Sequence, residues 1–256
     1  MTKTALVTGG ATGLGREVAT RLSRRGVAVA VVDLREEGIR ETLAMLDGAP
    51  GTHLSIPSDL TRAGEPERVV AKCGDKWGRL DLLVNNAAIG LIEPYFESTA
   101  DLWSKTLAIN VTALHMLTVA AGQRMKDMRS GRIVNLTSPA ARMALPNYAA
   151  YAASKAAVDS VTRTSAIALA PFGVLVNSVA PGMMDTEMQR ITECKLAEVE
   201  NRPNREQFLE ERTRRVPLGR RAEVSEMADV VIWLLLDAPA YITAARLNAS
   251  GGLDKD

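Results

Sequence analysis

Tyr151 and Lys155, in Tyr151-Ala-Ala-Ser-Lys155, stand at the i, i+4 spacing that brings two side chains together on one helix face. Free tyrosine ionises near pH 10, so about one in a thousand is phenolate at pH 7. A neighbouring ammonium favours the phenolate, and bringing the pKa close to 7 takes about three units, or roughly 4 kcal/mol. A tyrosine so tuned takes the hydroxyl proton of an alcohol or returns it to a carbonyl.

A second chemical signature lies near the N-terminus, in Thr8-Gly9-Gly10-Ala11-Thr12-Gly13-Leu14-Gly15. Glycines in such a turn let the backbone approach a pyrophosphate, which then sits where helix N–H groups and the dipole favour an anion. Asp33 follows Gly15 by 18 residues, the place where an acid accepts hydrogen bonds from the adenosine ribose. It also repels the extra phosphate of NADP: a charge pair at about 4 Å is worth roughly 4 kcal/mol at an effective dielectric near 20. Arg16 and Arg35 are the possible offsets; neither adjoins Asp33 and position 34 is Leu, so the reading is NAD rather than NADP.

These residues need elements to hold them. Short apolar, β-branched runs at 5–8, 27–33, 52–57, 82–85, 132–137, 175–179 and 245–248 alternate with helical periods such as 15–25, 102–129 and 148–169. Continuous apolar strands separated by helices predict a parallel sheet covered on both faces, with ligands at the carboxyl ends of the strands. The polar, helical stretch 183–221 interrupts the alternation beyond one such end and reads as a lid. Residues 230–236 are too short for a membrane span and read as a buried helix end.

The 256 residues are 46% apolar and 24% charged, with a formal net charge of +1, so no global field draws the chain to nucleic acid or a charged membrane. Met1-Thr-Lys runs straight into the first strand, without an apolar leader, and two cysteines, Cys73 and Cys194, suit a reducing cytoplasm rather than a disulfide framework. His53 and His115 have no partners at metal-ligand spacing, so no metal is expected.

Taken together, the 8–15 loop, Asn85-Asn86-Ala87-Ala88, Asn110, Ser138, Tyr151 with Lys155, and Pro181-Gly182 resemble the classical short-chain dehydrogenase/reductase family, in order and spacing along the whole chain. Ser138 precedes the tyrosine by thirteen residues, as in that family. The resemblance implies one doubly wound Rossmann-type α/β domain over residues 1–256, a seven-stranded parallel sheet, and a substrate loop at 183–215. It implies Tyr151 as general acid/base, Lys155 on the nicotinamide ribose, Ser138 on the substrate oxygen and Asn110 anchoring a relay water. Gly9, Thr12, Gly13, Leu14 and Gly15 would wrap the pyrophosphate, and Asp59 and Leu60 would flank the adenine. Asn86, Pro181, Gly182, Met184 and Thr186 would complete the NAD site. Departures from the family pattern are Thr137, Pro139, Ala88 and Ala249-Ser250.

Ala140, Asn147, Met183, Met188 and Ile89 are the expected pocket wall. The length and charge of the 183–215 segment resemble members that oxidise polyols, sugars or vicinal ketols. A 3-oxoacyl-[acyl-carrier-protein] reductase is the alternative within the chemistry; Arg129 matches one docking arginine, while Phe172 occupies the other position. A non-catalytic NAD-binding regulator is the alternative outside it. The expected partners are a small-molecule substrate and further copies of the chain, as a homotetramer or homodimer paired through 102–129 and 149–169.

Overall fold

The computed structural model describes residues 2–49 and 51–254. Seven strands, β1 (Thr4–Thr8), β2 (Ala28–Asp33), β3 (Leu54–Pro57), β4 (Leu82–Asn85), β5 (Gly131–Leu136), β6 (Val174–Pro181) and β7 (Arg246–Ala249), form one sheet in the order β3-β2-β1-β4-β5-β6-β7. Every pairing is parallel.

Alternate strand residues explain why the runs are apolar throughout. Val7, Val29 and Val31 join a core roofed by α1 (Gly13–Arg24), α2 (Glu36–Ala44) and α9 (Val224–Ile232). Leu6, Ala30 and Val32 face the opposite way into a core built with α3 (Glu65–Trp77), α5 (Leu114–Met128) and α6 (Ala149–Leu169). With both faces covered, period-2 side chains are apolar at every step. The expected strand at 52–57 begins only at Leu54, because His53 turns its ring inward. Its Nδ1 accepts the Val29 N–H at 3.1 Å, replacing a backbone partner.

The chain leaves β1 toward β2 on one side and returns through β4 on the other, which opens a crevice at the carboxyl end of the sheet. The register, with Thr8 beside Val32, Asn85 beside Asn135 and Leu136 beside Val179, sets the following loops on that same edge. A buried ladder braces it from below: Asn85 donates to Asn135 Oδ1 (2.8 Å) and Thr118 Oγ1 (3.0 Å), and Asn135 to Thr162 Oγ1 (2.9 Å).

The helix expected at 102–129 is divided. Between α4 (Ala100–Leu107) and α5 runs a π-helical turn, Ala108–Ala113, a deviation that often marks a functional position; Asn110 lies within it. Beyond β6 the polar stretch folds into α7 (Glu187–Val199) and α8 (Arg205–Arg214). Leu196, Ala197 and Phe208 from these helices pack with Ile92 in a small core of their own. The buried Glu193 carboxylate accepts from Gln189, Arg212 and Arg221 and ties the segment together. Among the described residues no helix is long and apolar enough to cross a membrane.

Candidate active site

The loop after β1 is shaped by glycine where a side chain has no room. Gly9 and Gly13 hold φ of 64° and 54°, and a Cβ on Gly15 would stand 2.2 Å from the Gly9 carbonyl oxygen. Asn86 fixes the turn from the neighbouring strand, donating from Nδ2 to Thr8 O (3.0 Å) and Gly9 O (3.1 Å). Thr8 Oγ1 in return accepts from the Asn86 and Ala87 N–H groups. Asn86 therefore acts here by setting the glycine loop.

Helix α1 starts at Gly13, and Thr12, its N-cap residue, makes no side-chain capping bond. The first-turn N–H groups thus lack the cap that most helices receive from such a residue. Above them, the Thr186 methyl is 3.5 Å from where a Gly13 Cβ would lie. An uncapped helix N-terminus under a glycine turn, with Asp33 at the next strand end, fits a dinucleotide.

Asp33 accepts from the Ala11 N–H (3.1 Å) and the Arg35 N–H (3.0 Å). The expectation that no arginine adjoins it is corrected in part. Arg16 is turned away, bonded to Ala11 O, Thr42 and Glu41. Arg35, however, brings its Nε within 3.7 Å of Asp33 Oδ1, because the turn into α2 folds the side chain back over the strand end. Asp59 and Leu60 follow β3, whose next residue, Ser58, donates to Asp33 O. The Asp59 carboxylate is taken by Thr61 and Arg62, and Leu60 is buried in the core. Gly182 follows Pro181, the last residue of β6, and packs against Ser250. Met184 packs on the α1 core, and Thr186 caps α7 through the Gln189 N–H (3.3 Å).

The second half of the site lies at the ends of β5 and α6. Ser138 caps a short 3-10 turn, Pro139–Arg142, its hydroxyl accepting the Ala140 N–H at 3.2 Å. Pro139 is therefore accommodated at a first helical position, where its missing N–H costs nothing. The Ser138 side chain also faces the Tyr151 phenol closely enough to favour its ionised form. Lys155 is buried, with its Nζ donating to Leu136 O at 2.8 Å and 5.7 Å from the Tyr151 ring centroid. Asn110 spends its side chain on the chain itself. Its Oδ1 accepts from Ile89 N (2.9 Å), and its Nδ2 donates to Ile89 O (2.9 Å) and Ser154 Oγ (3.0 Å). Ser154 Oγ donates to Tyr151 O (2.7 Å). One amide thus joins the π turn, the loop after β4 and the helix carrying Tyr151 and Lys155.

The expected acidification of Tyr151 by Lys155 is not what the protein alone provides. Burial pushes the Tyr151 phenol above its ordinary pKa, with the Ser138 hydrogen bond acting the other way. Burial also lowers Lys155 to about 8, opposed by the Asp159 carboxylate. Desolvation disfavours both charged forms, so the resting pair is biased toward the neutral phenol.

That cost has a testable consequence. The folded pKa of Lys155 lies below its unfolded value, so the folded state binds fewer protons between about pH 8 and 10.5. The penalty is complete below pH 8 and fades as the pH rises to 10.5. It amounts to about 3 kcal/mol, less about 1 kcal/mol for the bond to Leu136 O. Lys155→Met should raise the melting temperature at pH 7 by roughly 5 °C, and the gain should vanish before pH 10.5 and turn into a small loss above it. A lower melting temperature at pH 7 would contradict the assignment.

The segment after β6 closes on the same crevice. Met188 Sδ and Tyr151 Cε2 each lie 3.9 Å from where a Cβ on Gly90 would stand, and Thr192 Oγ1 donates to Gly90 O at 3.2 Å. Ala140 is buried, and the Asn147 carbonyl accepts from Glu93 N. Met183 O accepts from Ala222 N, and Ile89 is held by Asn110, as above. Met188 thus reaches the tyrosine's surroundings, whereas Asn147 and Met183 are seen through backbone bonds.

Thr8 and Arg35 bear on this site as the start of the glycine loop and a neighbour of Asp33, both named from sequence, whereas Ser154 and Thr192 are not found that way. Ser154 was visible only as the residue before Lys155, and Thr192 carried no signal, since its partner Gly90 is 102 residues away.

A family profile described as enoyl-(acyl carrier protein) reductase matches residues 9–254. Sorbitol dehydrogenase of Cereibacter sphaeroides is 36% identical over 251 residues, covering 98% of this chain and 96% of its own. Among solved structures, an actinorhodin polyketide ketoreductase with NADPH superposes with a TM-score of 0.94 at 33% identity, covering 100% of this chain and 98% of its own. An NAD+-bound xylitol dehydrogenase superposes with a TM-score of 0.90 at 29% identity, covering 98% of each chain.

Proposed function

The chain belongs to the classical short-chain dehydrogenase/reductase family, and from that premise we propose that it is an NAD-linked dehydrogenase of small polyols, sugars or hydroxy-ketones. It is an oxidoreductase by kinship; the cofactor and substrate class are our reading. One observation carries it: a Tyr151–Ser138 pair with buried Lys155 behind it stands on the same sheet edge as an uncapped glycine-rich helix start.

Ser138 Oγ holds the substrate hydroxyl oxygen, and Tyr151 Oη takes its proton in oxidation or returns it in reduction. Lys155, when protonated, favours the phenolate and binds the nicotinamide ribose. Asn110, its side chain spent on Ile89 and Ser154, positions Tyr151 and leaves its main chain to hold a relay water. Gly9, Thr12, Gly13, Leu14 and Gly15 receive the pyrophosphate, and Asp33 receives the adenosine ribose. NAD bound there supplies the acceptor for the substrate's hydride. The α7–α8 segment is the lid, already seated on Gly90, and its closure excludes water from the transfer.

Two named relatives support the polyol class: sorbitol dehydrogenase at 36% identity and the xylitol dehydrogenase structure. The similarity to the ketoreductase keeps reduction of an acyl carrier's ketone as a second reading. Against it, Arg129 donates to Pro171 O at 3.2 Å, and the Phe172 ring lies under Lys126 Nζ at 4.8 Å. That surface does not present two arginines. We further read the protein as cytoplasmic and homotetrameric; Val119 on α5 and Ile167 on α6 are exposed apolar positions on the helices that would pair. A panel of polyols, acetoin-like ketols and 3-oxoacyl thioesters, each assayed with NAD(H) and NADP(H), tests the proposal. Polyols or ketols with NAD(H) should give the highest kcat/KM, and thioester reduction with NADPH as the leading activity would overturn it.

A further inference from the structure

Asp33 is one of three charges at the adenosine end of the crevice. The Arg35 guanidinium leans on Asp33 through Nε (3.7 Å) and donates from Nη2 to Thr12 Oγ1 (2.9 Å) and from Nη1 to Glu187 Oε2 (2.8 Å). A single side chain at the start of α2 therefore touches the end of β2, the glycine loop and the first residue of α7. Glu187 is 152 residues distant in sequence and belongs to the lid.

Arg190, the nearby lid cation, is held by both oxygens of Asp185 at 2.7 Å and does not compete for Glu187. Arg35 and Glu187 perturb one another in the direction of a real pair: the carboxylate raises the guanidinium's pKa, and the guanidinium lowers the carboxylate's.

We propose that Glu187 is a cofactor-specificity residue contributed by the lid: it occupies Arg35, the one cation beside Asp33 among the described residues, and so denies it to a 2′-phosphate. The inference rests on the reading of Asp33 as the ribose acceptor. A phosphate on the 2′-hydroxyl would be repelled by Asp33 and would need Arg35 as counter-charge. With Glu187 in place the three side chains sum to one negative charge, and Arg35 has a donor on each Nη engaged, one of them by Glu187. Removing the Glu187 charge brings the sum to zero and frees the Nη1 donor. Because the pair bridges lid and nucleotide site, cofactor discrimination is strongest when the lid is closed.

Adenosine 2′,5′-bisphosphate and 5′-AMP differ only by the 2′-phosphate and serve as probes in calorimetric titrations of the full chain. The unmodified chain should bind 5′-AMP more tightly. In Glu187→Gln the bisphosphate should gain about tenfold, the size of a charge-assisted bond to phosphate, while 5′-AMP stays within about twofold. In the double variant Glu187→Gln/Arg35→Leu that gain should disappear. Both substitutions are at exposed positions, so folding is preserved. An unchanged ratio in Glu187→Gln, with 5′-AMP preferred by the unmodified chain, overturns the inference alone. A gain that survives loss of Arg35 overturns it too. A bisphosphate preference in the unmodified chain overturns the reading of Asp33 and the inference with it.

Discussion

Tyr151→Phe should lower kcat by about a thousandfold while leaving NADH affinity within a few-fold. The substitution removes one oxygen and keeps the ring, so its contact with Tyr148 at 6.3 Å between centroids and its place 5.7 Å from Lys155 Nζ are retained. What is lost is the group proposed to exchange a proton with the substrate, and positioned acid/base groups contribute roughly 10²- to 10⁴-fold. Ser138 does not replace it. Its hydroxyl accepts the Ala140 N–H, and among the described residues no base in hydrogen-bond contact activates it. Stopped-flow mixing with NADH, followed by steady-state turnover, separates the two quantities. Turnover within tenfold of the unmodified enzyme would remove Tyr151 from the chemistry.

Gly15→Ala is the second large effect, and it acts on the other half of the site. The added Cβ would sit 2.2 Å from Gly9 O and 2.6 Å from Asn86 Nδ2, far inside contact distance with backbone that cannot step aside alone. Gly9 O is also an acceptor for Asn86, so relieving the clash displaces the loop and the side chain that fixes it. A displaced loop loses hydrogen bonds to the pyrophosphate worth about 1.5–3 kcal/mol each as charge-assisted bonds, so NADH affinity should fall by roughly tenfold or more for each bond lost. The local strain adds about 1–3 kcal/mol of destabilisation. Gly13→Ala provides the contrast. Its Cβ meets nothing closer than the Thr186 methyl at 3.5 Å, so only the positive φ is penalised, by about 1–2 kcal/mol. Fluorescence titration of the two variants should rank Gly15→Ala well below Gly13→Ala; equal affinities would show that the loop tolerates movement.

The frame of this molecule was readable because burial on both faces leaves strands apolar at every residue, and all seven expected strands are present with ends displaced by a few positions. His53 shows why ends slip: a side chain that accepts a main-chain N–H shortens the ladder without changing local composition. The π turn around Asn110 was invisible for a related reason. It changes which carbonyl each N–H meets, not which side chains face inward, so the hydrophobic period survives it.

The juxtaposition of Tyr151 and Lys155 was legible as i, i+4 spacing, whereas Ser138 entered only through the family resemblance. The direction of the pKa shifts was not legible, because desolvation depends on what the rest of the chain packs around the pair. Arg35 carries the same lesson. Two residues from Asp33 and separated from it by Leu34, it carries no sequence sign of contact, yet the turn into α2 returns its side chain to the carboxylate and onward to Glu187. Pairings across 152 residues leave no local trace, and those are the contacts that join α7 to the glycine loop and the end of β2.

The proposed chemistry makes the carbinol carbon of a polyol the hydride donor and Tyr151 only the proton acceptor. Incubating the enzyme with NAD and its best polyol substrate, deuterated at carbon, and examining the reduced cofactor by mass spectrometry and NMR tests this directly. One deuterium per molecule at the nicotinamide C4, on a single face, is the predicted result. Reduced cofactor that carries no deuterium, or polyols that reduce NADP but not NAD, would contradict the account.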